Sequence, residues 1–106
     1  MSNNLISKKV VVFGVGSIGR EYCRVLHRLG VNFSVVGRST TGVEKFTSET
    51  GEIALPNGVE GWKIHGDPSI NSAIVAVNLE ALAQVAIDLM GCGIRNILLE
   101  KPGGIN

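Results

Sequence analysis

A glycine-rich turn near the start of the chain joins two segments of different hydrophobic period. Residues 8–14 read KKVVVFG, and this unbroken β-branched and aromatic run predicts a strand covered on both faces. A helical stripe follows, made up of Ile18, Tyr22, Val25, Leu26 and Leu29. Gly30 can then end the helix, and NFSVVG at 32–37 predicts a second strand. The opening of the chain is therefore constrained to a β-α-β unit with parallel strands.

The rest of the chain continues this alternation. Val43–Thr50 predicts a short helix, Trp62–His65 a short third strand, Ala73–Val77 a buried strand and Ile97–Leu99 the last strand. Asn78 can cap the helix between the last two strands through its side-chain oxygen. The expected buried face of that helix comprises Leu82, Val85, Ala86, Leu89 and Met90. We expect an α/β fold: a Rossmann doubly wound parallel sheet of about five strands, order 3-2-1-4-5, in three αβα layers.

Composition limits the classes of function. The 106 residues suit one domain, 1–106, and the net charge of +1 gives no electrostatic reason to bind nucleic acid or an anionic membrane. The polar start and the lack of a long apolar run favour a cytoplasmic protein without a signal peptide. Cys23 and Cys92 have no partners at metal-ligand spacing, so we expect two reduced thiols and no metal site.

The turn at 14–19 reads GVGSIG, a GxGxxG pattern between a strand and a helix. In that context Gly14 makes the tight turn, Gly16 leaves space for a pyrophosphate and Gly19 lets the helix approach the strand. The free N–H groups at the helix start would face the phosphates. The pattern predicts dinucleotide binding, and the alternative is a glycine-rich turn without a ligand.

The end of the second strand bears on the choice of cofactor. An NAD site usually has an acidic residue there for the ribose hydroxyls, whereas this chain has Gly37, Arg38, Ser39 and Thr40. Arg38 can pair with a 2′-phosphate and stack on adenine, and the two hydroxyls add donors. We favour NADP over NAD, and the alternative is that Arg38 is a solvated surface residue.

The fifth predicted strand runs into Glu100, Lys101 and Pro102, followed by two glycines. Ligands gather at the carboxyl ends of strands in open α/β sheets. Lys101 would therefore lie near the nicotinamide, where its charge could orient a substrate hydroxyl and stabilise developing alkoxide.

Three segments together resemble the N-terminal domain of the Gfo/Idh/MocA oxidoreductases, named for glucose–fructose oxidoreductase and inositol dehydrogenase. They are VVVFGVGSIGR at 10–20, AIVAVN at 73–78 and ILLEKPGG at 97–104. The resemblance spans essentially the whole chain, and the Glu-Lys-Pro segment is its most specific part. The chain departs from the family in lacking a clear third helix before Ser72 and the C-terminal substrate domain.

The resemblance implies that Lys101 is the active-site lysine and that Pro102 fixes the turn presenting it. The expected cofactor-binding residues are Gly14, Gly16, Ser17, Ile18, Gly19, Arg38, Ser39, Thr40, Val77, Asn78, Glu100, Lys101 and Pro102. The resemblance also implies that the C-terminal substrate domain supplies the catalytic His or Asp partner of the lysine. His27 is expected mid-helix and His65 near a strand end, and neither is favoured as a catalytic group.

The leading hypothesis is an NAD(P)-dependent oxidoreductase that transfers hydride between the nicotinamide and a sugar or polyol hydroxyl or carbonyl. This chain alone would bind cofactor with little turnover, since hydride transfer needs a positioned substrate. An alternative is a non-catalytic nucleotide-sensing or regulatory module, and a third is an interaction domain on a Rossmann scaffold. Ile97–Leu99 would be an apolar edge strand, so we also expect a homo-oligomer formed through it.

Overall fold

The computed structural model describes residues 9–100, in which strands and helices alternate. The strands are β1 (Lys9–Phe13), β2 (Asn32–Val36), β3 (Ser72–Val75) and β4 (Asn96–Leu99). The helices are α1 (Ser17–Leu29), α2 (Thr40–Thr50), α3 (Gly58–His65) and α4 (Leu79–Gly91). Every strand pairing is parallel, and the order across the sheet is β2-β1-β3-β4. The predicted parallel α/β fold of Rossmann type is confirmed.

Strand β1 lies between two hydrophobic core clusters, one on each face of the sheet. Val12 belongs to the cluster that contains Leu26 of α1 and Phe46 of α2. Val11 belongs to the opposite cluster, with Leu89 of α4. Successive side chains of a strand point to opposite faces, so the successive buried residues Val11, Val12 and Phe13 all need apolar side chains. This is why the β1 sequence shows no alternation.

The predicted third strand is wrong, because residues 62–65 form the second half of α3. Val59 and Trp62 are buried three residues apart, as expected for one face of a helix. Gly61 obscures this period in the sequence, yet it has a packing role. A Cβ at Gly61 would lie 2.1 Å from the carbonyl oxygen of Pro56, so only glycine lets α3 approach the preceding loop. The chain therefore does have a helix before Ser72, namely α3, contrary to the departure expected from the sequence.

A single-residue bridge occupies the sheet position expected for the third strand. Leu55 forms a parallel bridge with Val36 at the outer edge of β2. Its N–H donates to the Val35 carbonyl at 2.9 Å, and its carbonyl accepts from the Gly37 N–H at 2.8 Å. The other four predicted strands have the predicted order, since 2-1-4-5 of the prediction corresponds to β2-β1-β3-β4.

The buried face of α1 differs from the predicted stripe. Gly19, Cys23 and Leu26 are buried, whereas Val25 and Leu29 are 50% and 54% exposed. The close approach of the helix at Gly19 centres the contact face on that residue, so Val25 and Leu29 are displaced to the rim. The predicted C-cap is confirmed by Gly30, which has a φ of 74°.

Helix α4 confirms the predicted N-cap and most of the predicted face. The Asn78 side-chain oxygen accepts a 3.0 Å hydrogen bond from the Ala81 N–H. Ala86 and Leu89 are buried, but Met90 is 58% exposed, contrary to the prediction. Within residues 9–100 no helix has the length and apolarity needed to cross a membrane.

Candidate functional site

A cleft of about 620 Å³ lies where β1, β2 and β3 end, and the residues after each of these strands line it. In parallel α/β sheets this edge collects ligands, because helix N-termini and loop backbones converge there. The glycine turn after β1, Arg38 after β2 and Val77 after β3 all line this cleft. The fold thus brings together three segments that the sequence analysis singled out separately.

Gly14 forms the tight turn predicted for it. Its φ is 130°, a value that residues with side chains rarely adopt. A Cβ there would lie 2.1 Å from the Ala76 carbonyl oxygen, and the Gly14 N–H donates to the Val36 carbonyl at 2.8 Å. A Cβ at Gly19 would lie equally close to the Gly14 carbonyl oxygen. Gly19 therefore does not line the cleft but lets α1 begin directly against the turn.

Gly16 plays a different part from the other two glycines of the turn. Gly16 is the N-cap residue of α1, and its φ of −81° is one that other residues adopt, so the backbone conformation does not require glycine there. A Cβ at Gly16 would meet no atom within 4 Å, and the residue lines the cleft together with Ser17 and Ile18. The first turn of α1 holds no acidic residue and has no side-chain cap. Its N–H groups and the positive end of the helix dipole are therefore available to an anion.

Arg20 supports the turn from behind, a role that the sequence analysis missed. Its Nε donates to the Val15 carbonyl at 3.1 Å, and its Nη1 lies 2.5 Å from Glu49 Oε1. The guanidinium carbon is also 5.6 Å from the centre of the Phe46 ring. The hydrogen bond from Arg20 holds the pKa of the Glu49 carboxyl below its usual range. The only sequence signal was the position of this arginine directly after the glycine pattern.

The end of β2 contributes Arg38 and Ser39 to the cleft wall. Arg38 is exposed, so its guanidinium can turn toward a ligand. The Ser39 hydroxyl accepts a 3.0 Å hydrogen bond from the Gly42 N–H and thereby caps α2, which leaves its proton free to donate. Thr40 is the first residue of α2 and is not one of the residues that line the cleft, so its role in cofactor binding stays a prediction.

The first turn of α3 also lines the cleft, which the sequence did not indicate. Asn57 has a φ of 72°, and the N–H of Gly58 donates to the Gly37 carbonyl at 2.9 Å. This bond fixes the start of α3 beside the end of β2. Glu60 then joins the same cleft, with its carboxylate 3.4 Å from the Lys63 ammonium. The fold thus supplies an acidic side chain to a wall where the β2 sequence has none.

The opposite wall comes from the end of β3 and from α4. Val77 and Asn78, two of the expected cofactor-binding residues, line the cleft, and Ala81, Val85 and Asp88 of α4 line it as well. The three α4 residues follow one another at helical spacing, so they present one continuous surface. The sequence analysis assigned Val85 to the core and gave no role to Asp88.

Glu100 marks the β4 side of the cleft. Its backbone N–H donates to the Val75 carbonyl at 2.9 Å, and its carboxylate accepts a 2.7 Å hydrogen bond from the Tyr22 phenol. That hydrogen bond, together with burial and the negative charge, raises the pKa of Tyr22 above its usual value. Lys101 and Pro102, the predicted active-site residues that follow, lie outside the described residues.

Two solved structures are similar to this chain in fold. A Bacteroides fragilis protein provisionally named an NADP oxidoreductase matches 92% of the chain and 36% of its own length, with a TM-score of 0.65 and 16% identity. The A chain of dipicolinate synthase from Bacillus subtilis matches 92% of the chain and 38% of its own length, with a TM-score of 0.58 and 20% identity. No protein-family model and no curated protein matches the sequence. The chain spans little more than a third of either structure, and the likeness at these identities shows the fold alone.

Proposed function

We propose that this chain is the NAD(P)-binding domain of an oxidoreductase. The observation that carries the proposal is the uncapped start of α1, which opens into the cleft through Gly16. A pyrophosphate there would accept hydrogen bonds from backbone N–H groups and interact with the helix dipole. The positions of Gly14 and Gly19 support this, because each provides a close backbone approach that a dinucleotide turn requires.

NADP is the favoured cofactor and NAD the alternative. Arg38 reaches the cleft from the end of β2, where the ribose of the adenosine half would lie, and can pair with a 2′-phosphate. Glu60 opposes this preference, because a carboxylate in the same cleft repels a phosphate and accepts hydrogen bonds from ribose hydroxyls. Glu60 is mostly exposed and paired with Lys63, so water and the lysine weaken its repulsion.

The reaction class is hydride transfer between the nicotinamide and a sugar or polyol hydroxyl or carbonyl. The resemblance of residues 97–104 to the Gfo/Idh/MocA motif supports it, and one neighbour in fold carries the name NADP oxidoreductase. When bound, the nicotinamide would accept or supply the hydride. Glu100 would then form part of the wall beside it, and Lys101 would orient the substrate oxygen and stabilise negative charge on it. The chain by itself should bind cofactor with little turnover, because hydride transfer needs a positioned substrate.

The test compares thermal unfolding of the chain with and without NADPH and NADH. At about 100 times its dissociation constant, a ligand adds roughly 2.7 kcal/mol to the free energy of unfolding. Gly16→Ala should change the stability of the free protein by less than about 1 kcal/mol, because the new methyl group meets no neighbour. The same methyl group should remove most of the cofactor-dependent shift, since it occupies the space of the pyrophosphate.

Gly91→Ala is the matched control, because a Cβ there also meets nothing within 4 Å and the residue lies at the end of α4. It should keep the full cofactor-dependent shift. If neither cofactor shifts the wild-type melting temperature, or if both variants keep the same shift, the proposed function is wrong.

A further inference from the structure

One part of the cleft wall is apolar, and we call it the slot between α3 and α4. Val59 of α3, Val77, Ala81 and Val85 line it, and Val77 and Val85 pack against the hydrophobic cluster that contains the buried Val59. These four side chains carry no polar atoms. A slot with apolar walls suits a flat aromatic ring, which it can hold by dispersion and by removal of apolar surface from water.

Asp88 adds a polar group to this apolar slot. It follows Ala81 and Val85 on the same face of α4 and is half-buried. Because helical side chains lean toward the helix N-terminus, its carboxylate lies over the turn that contains Val85. Gln84 Nε2 donates to Asp88 Oδ1 at 2.8 Å. An ionised carboxylate can accept about four hydrogen bonds, so Asp88 can accept more than this one.

The surroundings of Asp88 favour a neutral donor as its ligand partner. Among residues 9–100, no lysine, arginine or histidine lies within ion-pairing distance of its carboxylate. Gln84 fixes one oxygen, which gives the carboxylate a defined orientation. A carboxylate held in this way recognises N–H or O–H groups and repels carbonyl and phosphate oxygens.

The glycine turn, Arg38 and Asp88 all line the same cleft, so a single extended ligand can meet all three. With the pyrophosphate at the start of α1, the adenosine half would pass Arg38 and enter the slot between α3 and α4. The exocyclic amino group is the donor on the edge of adenine, and it would reach the level of Asp88.

We propose that Asp88 accepts a hydrogen bond from the exocyclic amino group of adenine and selects adenine over a 6-oxopurine in the bound dinucleotide. This inference rests on the proposed function and adds a specificity-determining residue to it. Hypoxanthine has a carbonyl oxygen where adenine has the amino group, so it would place an acceptor against the Asp88 carboxylate.

The test measures dissociation constants for NADPH and for its hypoxanthine analogue, which differ only at that base. The wild-type chain should bind the analogue about tenfold more weakly, the order expected for a hydrogen bond to a charged group at a half-buried site. Asp88→Ala should reduce the ratio of the two constants to about one. Asp88→Asn should also reduce it, because an amide can donate to the carbonyl of hypoxanthine.

Glu44→Gln is the control for the loss of one negative charge, since Glu44 is exposed on α2 and does not line the cleft. It should keep the wild-type ratio. Equal binding of both dinucleotides by the wild type, or an unchanged ratio in Asp88→Ala, overturns the role of Asp88 while the proposed function stands. Failure of the wild type to bind either dinucleotide overturns both.

Discussion

The Tyr22 phenol on α1 donates a 2.7 Å hydrogen bond to the Glu100 carboxylate, 78 positions later in the chain. Glu100 directly follows β4, and its backbone N–H is bonded to Val75 of β3. The side-chain bond therefore ties the helix that begins at the glycine turn to the far side of the cleft. It also fixes the residue that precedes Lys101.

Tyr22→Phe should lower the free energy of unfolding by about 1 kcal/mol at neutral pH, because Glu100 loses its donor. The substitution should also change how the free energy of unfolding depends on pH in the alkaline range. The hydrogen bond to Glu100, burial and the Glu100 charge raise the pKa of Tyr22 from its ordinary 10.0. Above pH 10.0 the unfolded chain loses this proton before the folded chain does, so the wild-type stability falls as the pH rises toward the folded pKa.

Urea unfolding of the wild type and Tyr22→Phe between pH 8 and 11 would measure this difference. Burial raises the pKa of Cys23 to about 11, so that thiol makes its own contribution to the alkaline loss in both proteins. The difference in the free energy of unfolding between the two proteins therefore reports on Tyr22 alone. This difference should shrink as the pH rises, and a difference independent of pH would contradict a raised Tyr22 pKa.

Gly14→Ala should lower the free energy of unfolding by about 3 kcal/mol or more, through a strained φ and a clash with the Ala76 carbonyl. Gly51→Ala is the matched control, because Gly51 also has a positive φ, 81°, but a Cβ there meets no atom. The control should lose only about 1 kcal/mol. Urea unfolding of both variants measures the difference, and equal losses would mean that the turn can yield to the methyl group.

Arg38→Ala should weaken NADPH binding about tenfold and change NADH binding little, because only NADPH carries the 2′-phosphate. Glu60→Gln should act in the opposite direction and favour NADPH about twofold, since an exposed charge contributes little. Fluorescence titration with both cofactors measures the two effects. Arg28→Ala, an exposed change at the end of α1 outside the cleft, controls for net charge. An equal effect on both cofactors would remove Arg38 from the specificity site.

The homo-oligomer predicted from the last strand can be tested at Leu98. Within the described sheet β4 pairs with β3 alone, and Leu98 and Leu99 are 49% and 45% exposed. Open apolar edges tend to pair with other strands, so the wild type should self-associate more as its concentration rises. Sedimentation velocity at several protein concentrations measures this. Leu98→Lys should keep the chain monomeric, whereas Ile53→Lys, which replaces an exposed residue away from β4, should not. A wild type that stays monomeric at every concentration would contradict this prediction.

Local sequence patterns correctly predicted the features that depend only on residues close together in the chain. The Val10–Phe13 run needed only burial on both faces, and the glycine turn needed only backbone geometry. The caps at Gly30 and Asn78 depend on one residue each. These features could be read without knowledge of the fold, because the atoms that determine them are neighbours in the chain.

The region between β2 and β3 could not be predicted in the same way. Two glycines mask the helical period of α3, and a contact that stabilises this helix joins residues distant in sequence. The Trp62 ring packs edge-on against Phe13 of β1, with centroids 6.2 Å apart. The stripe predicted for α1 failed for a related reason. A helix wheel gives the apolar face, but the contact at Gly19 decides which part of that face meets the sheet.

The sequence alone therefore determined the parallel α/β class, the glycine turn and the positions of Arg38, Asn78 and Glu100 at strand ends. Each of these depends on local conformational preference or on hydrophobic period. Only the tertiary structure decided that Glu60 and Asp88 share the cleft and that Tyr22 holds Glu100. These side chains meet because the sheet order and helix packing bring distant segments together, and no local period carries that information.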